Sequence, residues 1–516
     1  MASPLVRFLA QARSAALRPT TPPTYYTLVL GNPSCDLDSF ICATIYSFFH
    51  SHQARRSPSP QPHLYIPLLN LPSTSSGELW RLRPEFGTAL RLALHGHDQG
   101  GNAEDDREEA EVNKSLLGNL VTISDIRSCA SSRLNYVFSK PGTTTQPPSE
   151  GKIRVLLVDH NALSIPLPGI SPSEISSRLD VVGCIDHHID ESSIPTSASP
   201  RIIRTGVGSC TTLVVQYLKD EGFWDDLLNP AATSPNEEDG GGPAAGELAK
   251  LSLAAILDDT VNLTGEGKVS DLDRQAVGFL EEIITNSSSA SSHQETPQAS
   301  RDKAAAKWDR KSCFEQIAAT RADSLSLLSL PEIFNRDYKA WSEKATGNSP
   351  DGVGQSTMHL GIAGIVKPVS WLIKKADGSS VQNFVSAMGD FATRQDPRLD
   401  LFAIMTVPAH AGRAFQRELI LLDTGRTEAS RRVVDKFQEI AGEELRLEDW
   451  EEDQGLARAL DREEGGGDGN GDGDGDGDGD GGGRGGALKG RIWWQRDGSK
   501  SRKVVAPLLR EAMRRV

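Results

Sequence analysis

The sequence predicts an α/β chain: an N-terminal parallel-sheet domain with helices on both faces, then a smaller C-terminal α/β (α+β) domain. Two observations carry this. Short, nearly all-apolar runs at 25–30, 64–69, 154–158 and 180–185 alternate with helical segments at 38–50, 208–219 and 247–257. Strands buried on both faces, with helices as crossovers, produce that pattern. After about residue 330 the spacing changes, and 359–366, 401–407 and 418–422 read as strands with helices between them. The expected organisation is a segment at 1–23, a first domain at 24–328 and a second at 329–516.

Residues 1–23 contain Arg7, Arg13 and Arg18, and no acid precedes Asp36. Leu5, Phe8, Leu9 and Ala12 have helical spacing. The segment reads either as an Arg-rich targeting sequence or as a helix packed on the body. The expected compartment is the cytoplasm, or the mitochondrial matrix if the segment targets. Stretches near 97–112, 139–151, 232–246 and 284–306 are polar or rich in Ser, Gly, Ala or Pro, and are expected to be mobile insertions. A longer one near 462–487 has 14 Gly and 6 Asp within 465–486. It lacks the periodic apolar residue of a calcium-binding repeat and reads as a solvated linker.

The 516 residues carry 55 Lys plus Arg against 70 Asp plus Glu, a formal charge of −15. Between Glu443 and Asp480 there are 16 acids and 3 arginines, so the charge is concentrated there, and from Arg484 onward ten bases face two acids. The remaining body is near neutral and its aromatics are not interleaved with basic patches, which argues against specific nucleic-acid binding. No apolar run reaches the roughly 18 residues of a membrane span. The six cysteines form no CxxC pair, so a disulfide framework or zinc ribbon is not expected.

Four polar clusters follow predicted strands or end a predicted helix: Asn32 to Ser39 with Asp36 and Asp38, then Asp159-His160-Asn161, Asp186-His187-His188 and Asp258-Asp259-Thr260. Taken singly, each is also a turn, a cap or a helix end. Together, carboxylates and imidazoles at one sheet edge call for neutralisation, and oxygen ligands with imidazole suit Mg²⁺, Mn²⁺ or Co²⁺. Four clusters offer more ligands than one ion needs. Two ions about 3.5–4 Å apart can activate water and clamp a phosphoryl group. Gly206 to Thr211 opens a helix, and reads either as a phosphate cradle or as a glycine turn with a Ser cap.

These clusters, in this order, resemble the DHH phosphoesterase superfamily in the branch with a C-terminal DHHA2 domain, above all its fungal exopolyphosphatases. Asp337-Tyr338-Lys339 and Ser501-Arg502-Lys503 resemble the two C-terminal motifs of that branch. The resemblance implies a DHH metal-binding domain and a DHHA2 substrate-binding domain with a cleft between them. It implies that Asp36, Asp38, Asp159, His187 and Asp259 ligate two divalent ions, Mg²⁺ or Mn²⁺ with Co²⁺ as a further candidate. Asp159 would bridge the ions, Asp186 would orient a histidine, and His188 would face a substrate phosphate as a catalytic donor. Asn32, Ser501, Lys339, Arg502 and Lys503 would bind substrate.

Pyrophosphatases of this branch carry His where this chain has Asn32, and exopolyphosphatases carry Asn. The implied activity is therefore release of orthophosphate from the end of linear inorganic polyphosphate by a hydroxide activated between two metals. The alternatives are an inorganic pyrophosphatase, a short-nucleotide phosphodiesterase, or a prune-like interaction protein. The family implies a monomer.

Overall fold

The computed structural model describes residues 3–18, 25–56, 63–95, 103–140, 151–228, 241–291, 308–344, 357–406, 416–425, 427–460 and 489–516. The chain divides into two compact units, Met1–Leu328 and Ser329–Val516. Among the described residues, no helix is long and apolar enough to cross a membrane.

The first unit opens with α1 (Pro4–Leu17), capped by the Ser3 hydroxyl. Its stripe of Leu5, Phe8, Leu9, Ala12 and Ala16 is buried in the core of this unit. Ser3 Oγ donates to Glu247 Oε2 at 2.7 Å, and Arg13 pairs with Asp125 at 2.9 Å. Residues 4–17 are thus a helix packed on the body of this unit. A five-stranded sheet follows, built from β1 (Tyr25–Leu30), β2 (His63–Leu68), β3 (Ile153–Val158), β4 (Leu179–Asp186) and β5 (Arg201–Ile203), in the order β2-β1-β3-β4-β5. All its pairings are parallel.

Parallel pairing puts the carboxyl ends of these strands on one edge. The order reverses between β1 and β3, which makes the crevice beyond their ends the switch point where such sheets bind ligands. Helix α2 (Leu37–Arg56) leaves that edge directly after β1. Helices α3 (Pro84–His95) and α4 (Ala103–Leu117) come next in the chain. After β5 come α5 (Cys210–Asp220), α6 (Gly241–Asp259), α7 (Asp271–Ser291) and α8 (Arg310–Ser324). From Leu248 to Leu257 nearly every residue of α6 is buried, as a helix apolar on all sides must be.

Three expected insertions are partly regular. Residues 103–112, expected as loop, belong to α4, where Arg91 pairs with Glu109 at 2.6 Å and Leu117 is buried. The polarity that suggested a loop comes mostly from Glu, which with Ala and Arg is a good helix former. The stretch 241–246 opens α6, and α7 runs to Ser291. The expectations for 97–102, 141–150, 232–240, 292–306 and 462–487 lie outside the described residues.

The second unit is a six-stranded mixed sheet in the order β10-β11-β9-β8-β7-β6. Its strands are β6 (Tyr338–Lys344), β7 (Thr357–Ile365), β8 (Leu401–Thr406), β9 (Arg417–Asp423), β10 (Leu447–Asp449) and β11 (Lys489–Gln495). Only β7 and β8 pair in parallel. Helices α9 (Val369–Lys375) and α10 (Val381–Arg394) lie between β7 and β8; α11 (Glu428–Leu445) lies between β9 and β10, and α12 (Arg502–Arg514) follows β11. Strand β6 is amphipathic: Tyr338 packs on Phe391 at 5.4 Å, while Glu343 pairs with Arg510 of α12 at 2.5 Å. Strand alternation then puts Lys339 on the same face as Glu343, toward α12.

Candidate metal centre

Three of the four polar clusters of the first unit start where a buried strand runs out, and the fourth ends helix α6. After β1, the chain turns sharply through Asn32 to Asp36. Asn32 Oδ1 accepts from Ser34 Oγ at 2.6 Å and from the Cys35 N–H at 3.0 Å. Cys35 is left-handed at φ 46°. Arg83, itself buried, donates to the Ser34 carbonyl at 2.8 Å and the Cys35 carbonyl at 3.3 Å. Asp36 then accepts from the Ser39 N–H at 3.1 Å, near the start of α2. After β3, Asp159 is left-handed at φ 61°, and its N–H donates to the Ile185 carbonyl of β4 at 3.0 Å. Such a conformation is uncommon for a residue with a Cβ and is held only where its surroundings enforce it.

Asp159 is the hub. Its Oδ2 accepts from Asn32 Nδ2 at 2.6 Å and Ser39 Oγ at 2.8 Å. Its Oδ1 faces His187 Nε2 at 3.2 Å and His188 Nδ1 at 3.7 Å. Asp159, His187 and His188 bring ligand atoms within 4.8 Å of one another. His187 is buried, and its Nδ1 lies 3.1 Å from the Val207 carbonyl. A carbonyl only accepts, so Nδ1 carries a proton. Nε2 faces Asp159 Oδ1 across 3.2 Å, a contact bridged either by a proton on Nε2 or by a cation. The same nitrogen lies 3.9 Å from Asp38 Oδ2.

Asp38 sits at the first turn of α2 and is 3 % exposed. Its Oδ1 accepts from Ser209 Oγ at 2.7 Å, Thr211 N–H at 2.9 Å and Thr211 Oγ1 at 2.6 Å. The Cys210 N–H takes Oδ2 at 2.7 Å. Helix α5, which Ser209 caps, therefore spends its N-terminal N–H groups on Asp38. Of the two readings of 206–211, the capped turn holds, and a carboxylate of the chain itself occupies the cradle. With Oδ1 saturated, Asp38 has only Oδ2 left for a cation.

Asp186 ends β4, is fully buried, and accepts from His188 Nδ1 at 2.8 Å and Asn161 Nδ2 at 2.5 Å. Burial by itself raises its carboxyl. The hydrogen bond and charge of His188, together with His187 and Asn161, outweigh that and hold it below the ordinary carboxylate range. His188 thereby has Nδ1 fixed and Nε2 turned outward, the arrangement of an oriented imidazole.

Asp36, Asp38, Asp159, Asp186, His187, His188 and Asn32 therefore form one connected cluster at the switch point. Asp36 joins through Asn32 Nδ2 at 3.3 Å. Asp259 ends α6 and is not part of the three-residue ligand group. Its neighbour Asp258 pairs with Arg321 of α8. Asn32 holds carboxylates here. It is 1 % exposed, with its carboxamide oxygen used by the turn and its amide nitrogen given to Asp159 and Asp36.

In the second unit, Ser501 caps α12, accepting from the Lys503 N–H at 3.3 Å. Arg502 donates to the Asp337 carbonyl at 2.7 Å and to Asp337 Oδ1 at 2.6 Å. The Asp337 carbonyl also accepts from the Gly364 N–H at 2.9 Å. The two C-terminal motifs thus meet at the end of β7.

Sequence reasoning missed Arg83 and Asp273, and gave Ser39, named in the first cluster, no role. Asp273, fully buried, accepts from Gly208 N–H at 2.9 Å, Thr212 Oγ1 at 2.6 Å, and Ser270 N–H and Oγ at 2.7 and 2.6 Å. It ties the start of α7 to the turn that holds Asp38. The Ser270-x-x-Asp273 spacing is a capping signature that could have flagged it.

The donor set of carboxylate oxygens and imidazole nitrogens, crowded at one sheet edge, fits a divalent cation. At least four carboxylates meet two imidazoles, so excess negative charge remains even with both rings protonated.

Comparison with known proteins agrees with this architecture. Residues 27–256 match the DHH family, N-terminal domain, and residues 315–512 match the DHHA2 domain. The chain is 26 % identical over 495 residues to a Schizosaccharomyces pombe protein named "Putative exopolyphosphatase", covering 95 % of this chain and 92 % of that one. A solved Methanococcus jannaschii structure, "putative family II inorganic pyrophosphatase", is 15 % identical with a TM-score of 0.38, covering 79 % of this chain and 90 % of that one. An exopolyphosphatase-related protein from Bacteroides fragilis is 10 % identical with a TM-score of 0.30, covering 86 % and 87 %. The chain therefore carries a DHH family N-terminal domain followed by a DHHA2 domain.

Proposed function

We propose that the protein is a divalent-metal-dependent phosphoanhydride hydrolase that releases orthophosphate from the end of linear polyphosphate. The single observation behind it is the convergence of Asp159 Oδ1 and Asp38 Oδ2 on His187 Nε2, at 3.2 and 3.9 Å. A divalent cation there would replace the proton that otherwise bridges the ring and Asp159, and would offset the excess of carboxylates. Asp36, Asp38, Asp159 and His187 would hold the ions, with Asp259 as a further candidate ligand. Bound divalent ions lower the pKa of coordinated water and neutralise phosphoryl oxygens.

The chain's own residues do the rest. Asn32, Ser39 and the N-terminus of α5 hold Asp159 and Asp38 in one geometry, so little reorganisation is needed when a phosphate arrives. Asp186 fixes the His188 tautomer, leaving Nε2 to donate a proton to the leaving oxygen once the ring is protonated. Arg502 brings a planar fork, and Lys339 and Lys503 bring point charges, for phosphate oxygens. Asn32 favours polyphosphate over pyrophosphate: its carboxamide grips carboxylates and adds no imidazole ligand, so preference for Mn²⁺ or Co²⁺ over Mg²⁺ should be weak.

The test is orthophosphate release by the purified chain, with Mg²⁺ or Mn²⁺, from pyrophosphate, tripolyphosphate and long-chain polyphosphate. Polyphosphates turned over faster than pyrophosphate are expected. Pyrophosphate as the best substrate would make the protein a pyrophosphatase. A folded, metal-loaded protein without turnover would favour an interaction role.

A further inference from the structure

We propose that α9 and the turn before it form a second phosphate-binding stretch, which holds successive phosphates of a long polyanionic chain beyond the residues that grip its end. Three features of the second unit carry this. Lys367 and Lys375 both approach the Trp371 ring, their ammonium nitrogens 5.9 and 5.7 Å from its centroid. Two like charges share one partly exposed ring, and among the described residues no carboxylate pairs with Lys367. A ring face attracts each cation only modestly at an exposed site, so Lys367 gains from an anion beside it.

The scaffold beneath is rigid. Glu418, buried under the start of α9, accepts from the Val369 N–H at 2.7 Å, from Thr406 Oγ1 at 2.6 Å and from Trp450 Nε1 at 3.1 Å. Val369 and Leu372 are fully buried. The lysines therefore project from a fixed element, which lowers the entropy lost on binding.

The stretch is also continuous with the motif residues. A Cβ placed on Gly364 would stand 2.4 Å from Asp337 Oδ2 and 3.9 Å from Arg502 Nη1, so the end of β7 touches the Asp337–Arg502 pair. Lys367 follows three residues later, within about 11 Å along the chain. Basic groups thus extend from Arg502 past Lys367 to Lys375. An isolated orthophosphate or pyrophosphate is too short to use this length, and a chain of many phosphates can.

The inference rests on the polyphosphate reading and identifies where chain-length preference would arise. The test compares the full-length protein with its Lys367→Ala/Lys375→Ala double variant on tripolyphosphate and on long-chain polyphosphate. The expected result is a KM for the long chain raised about fivefold, kcat unchanged, and tripolyphosphate kinetics unchanged, since exposed ion pairs are individually weak. An unchanged long-chain KM, or an equal change on both substrates, would overturn it. Direct binding of long-chain polyphosphate, titrated at two salt concentrations, separates the two failures. If the wild-type chain hydrolyses no polyphosphate, the activity reading falls. The binding stretch then stands only if the double variant binds more weakly and with a shallower salt dependence.

Discussion

Replacing Asp159 with Asn should leave the metal-free protein nearly as stable and abolish its response to metal. The variant keeps one carbonyl oxygen where Asn32 Nδ2 and Ser39 Oγ donate at 2.6 and 2.8 Å. Its new NH₂ then falls where Oδ1 was, 3.2 Å from His187 Nε2, and donates to the ring once it is neutral. Two charge-assisted hydrogen bonds become neutral ones, at a cost of about 1 kcal/mol each. Removing one of several crowded carboxylates, together with the new bond to His187, offsets that cost, so the net change should lie within about 1 kcal/mol. A cation, by contrast, loses both the Asp159 charge and the His187 lone pair. In the wild type, metal at a hundredfold excess over its Kd adds about 2.7 kcal/mol. Calorimetric unfolding of both proteins in chelator and in Mg²⁺ or Mn²⁺ measures each term. An Asp159→Asn protein that gains as much from metal as the wild type would refute the assignment. So would one destabilised by several kcal/mol in chelator, because Asp159 would then be a structural carboxylate.

Other consequences are equally concrete. Gly208→Ala should destabilise by about 1–3 kcal/mol and weaken the metal response, because its Cβ would stand 2.3 Å from the Lys268 carbonyl and push α5 off Asp38. Gly206→Ala, at φ 80° in open space, should cost only about 1 kcal/mol of backbone strain and spare the metal response; identical metal titrations of the two variants would contradict this. Phe8→Ala should cost about 3–5 kcal/mol, since the ring is 3 % exposed and meets Phe48 edge-on at 5.3 Å; an unchanged urea midpoint would mean that α1 is dispensable. His50 stacks on Tyr46 at 4.1 Å beside Tyr65, Tyr217 and Phe223, and its buried Nε2 has no hydrogen-bond partner. Burial, with the charge of His63 adding, lowers it from 6.5 to about 4. The unfolded chain then takes up a proton that the folded one refuses, so stability falls as pH drops from about 6.5 to about 4, by about 2–3 kcal/mol. Urea midpoints across that range should be flatter in His50→Phe, and parallel losses in the two proteins would refute the assignment.

The sequence by itself determined the alternation of buried strands and helices, the two domain types and the four polar clusters at strand or helix ends. These are local properties: strand runs such as 25–30 and 154–158 declare themselves by unbroken apolarity, and DHH-type clusters by adjacency. Composition misled at α4, where charge read as loop although Glu and Ala favour helix. Strand β6 escaped because polar and aromatic residues alternate there without an apolar run, and β11 because its apolar run is only Ile492-Trp493-Trp494 after Lys, Gly and Arg. Tertiary structure alone decided what the polar groups do. That the N-terminus of α5 is filled by Asp38, that Asn32 grips Asp159, and that Asp273 braces the Gly208 turn all join residues from 65 to 172 positions apart. Strand order sets which loops meet, and each carboxylate oxygen accepts only a few donors. Neither constraint is written in the spacing of residues along the chain.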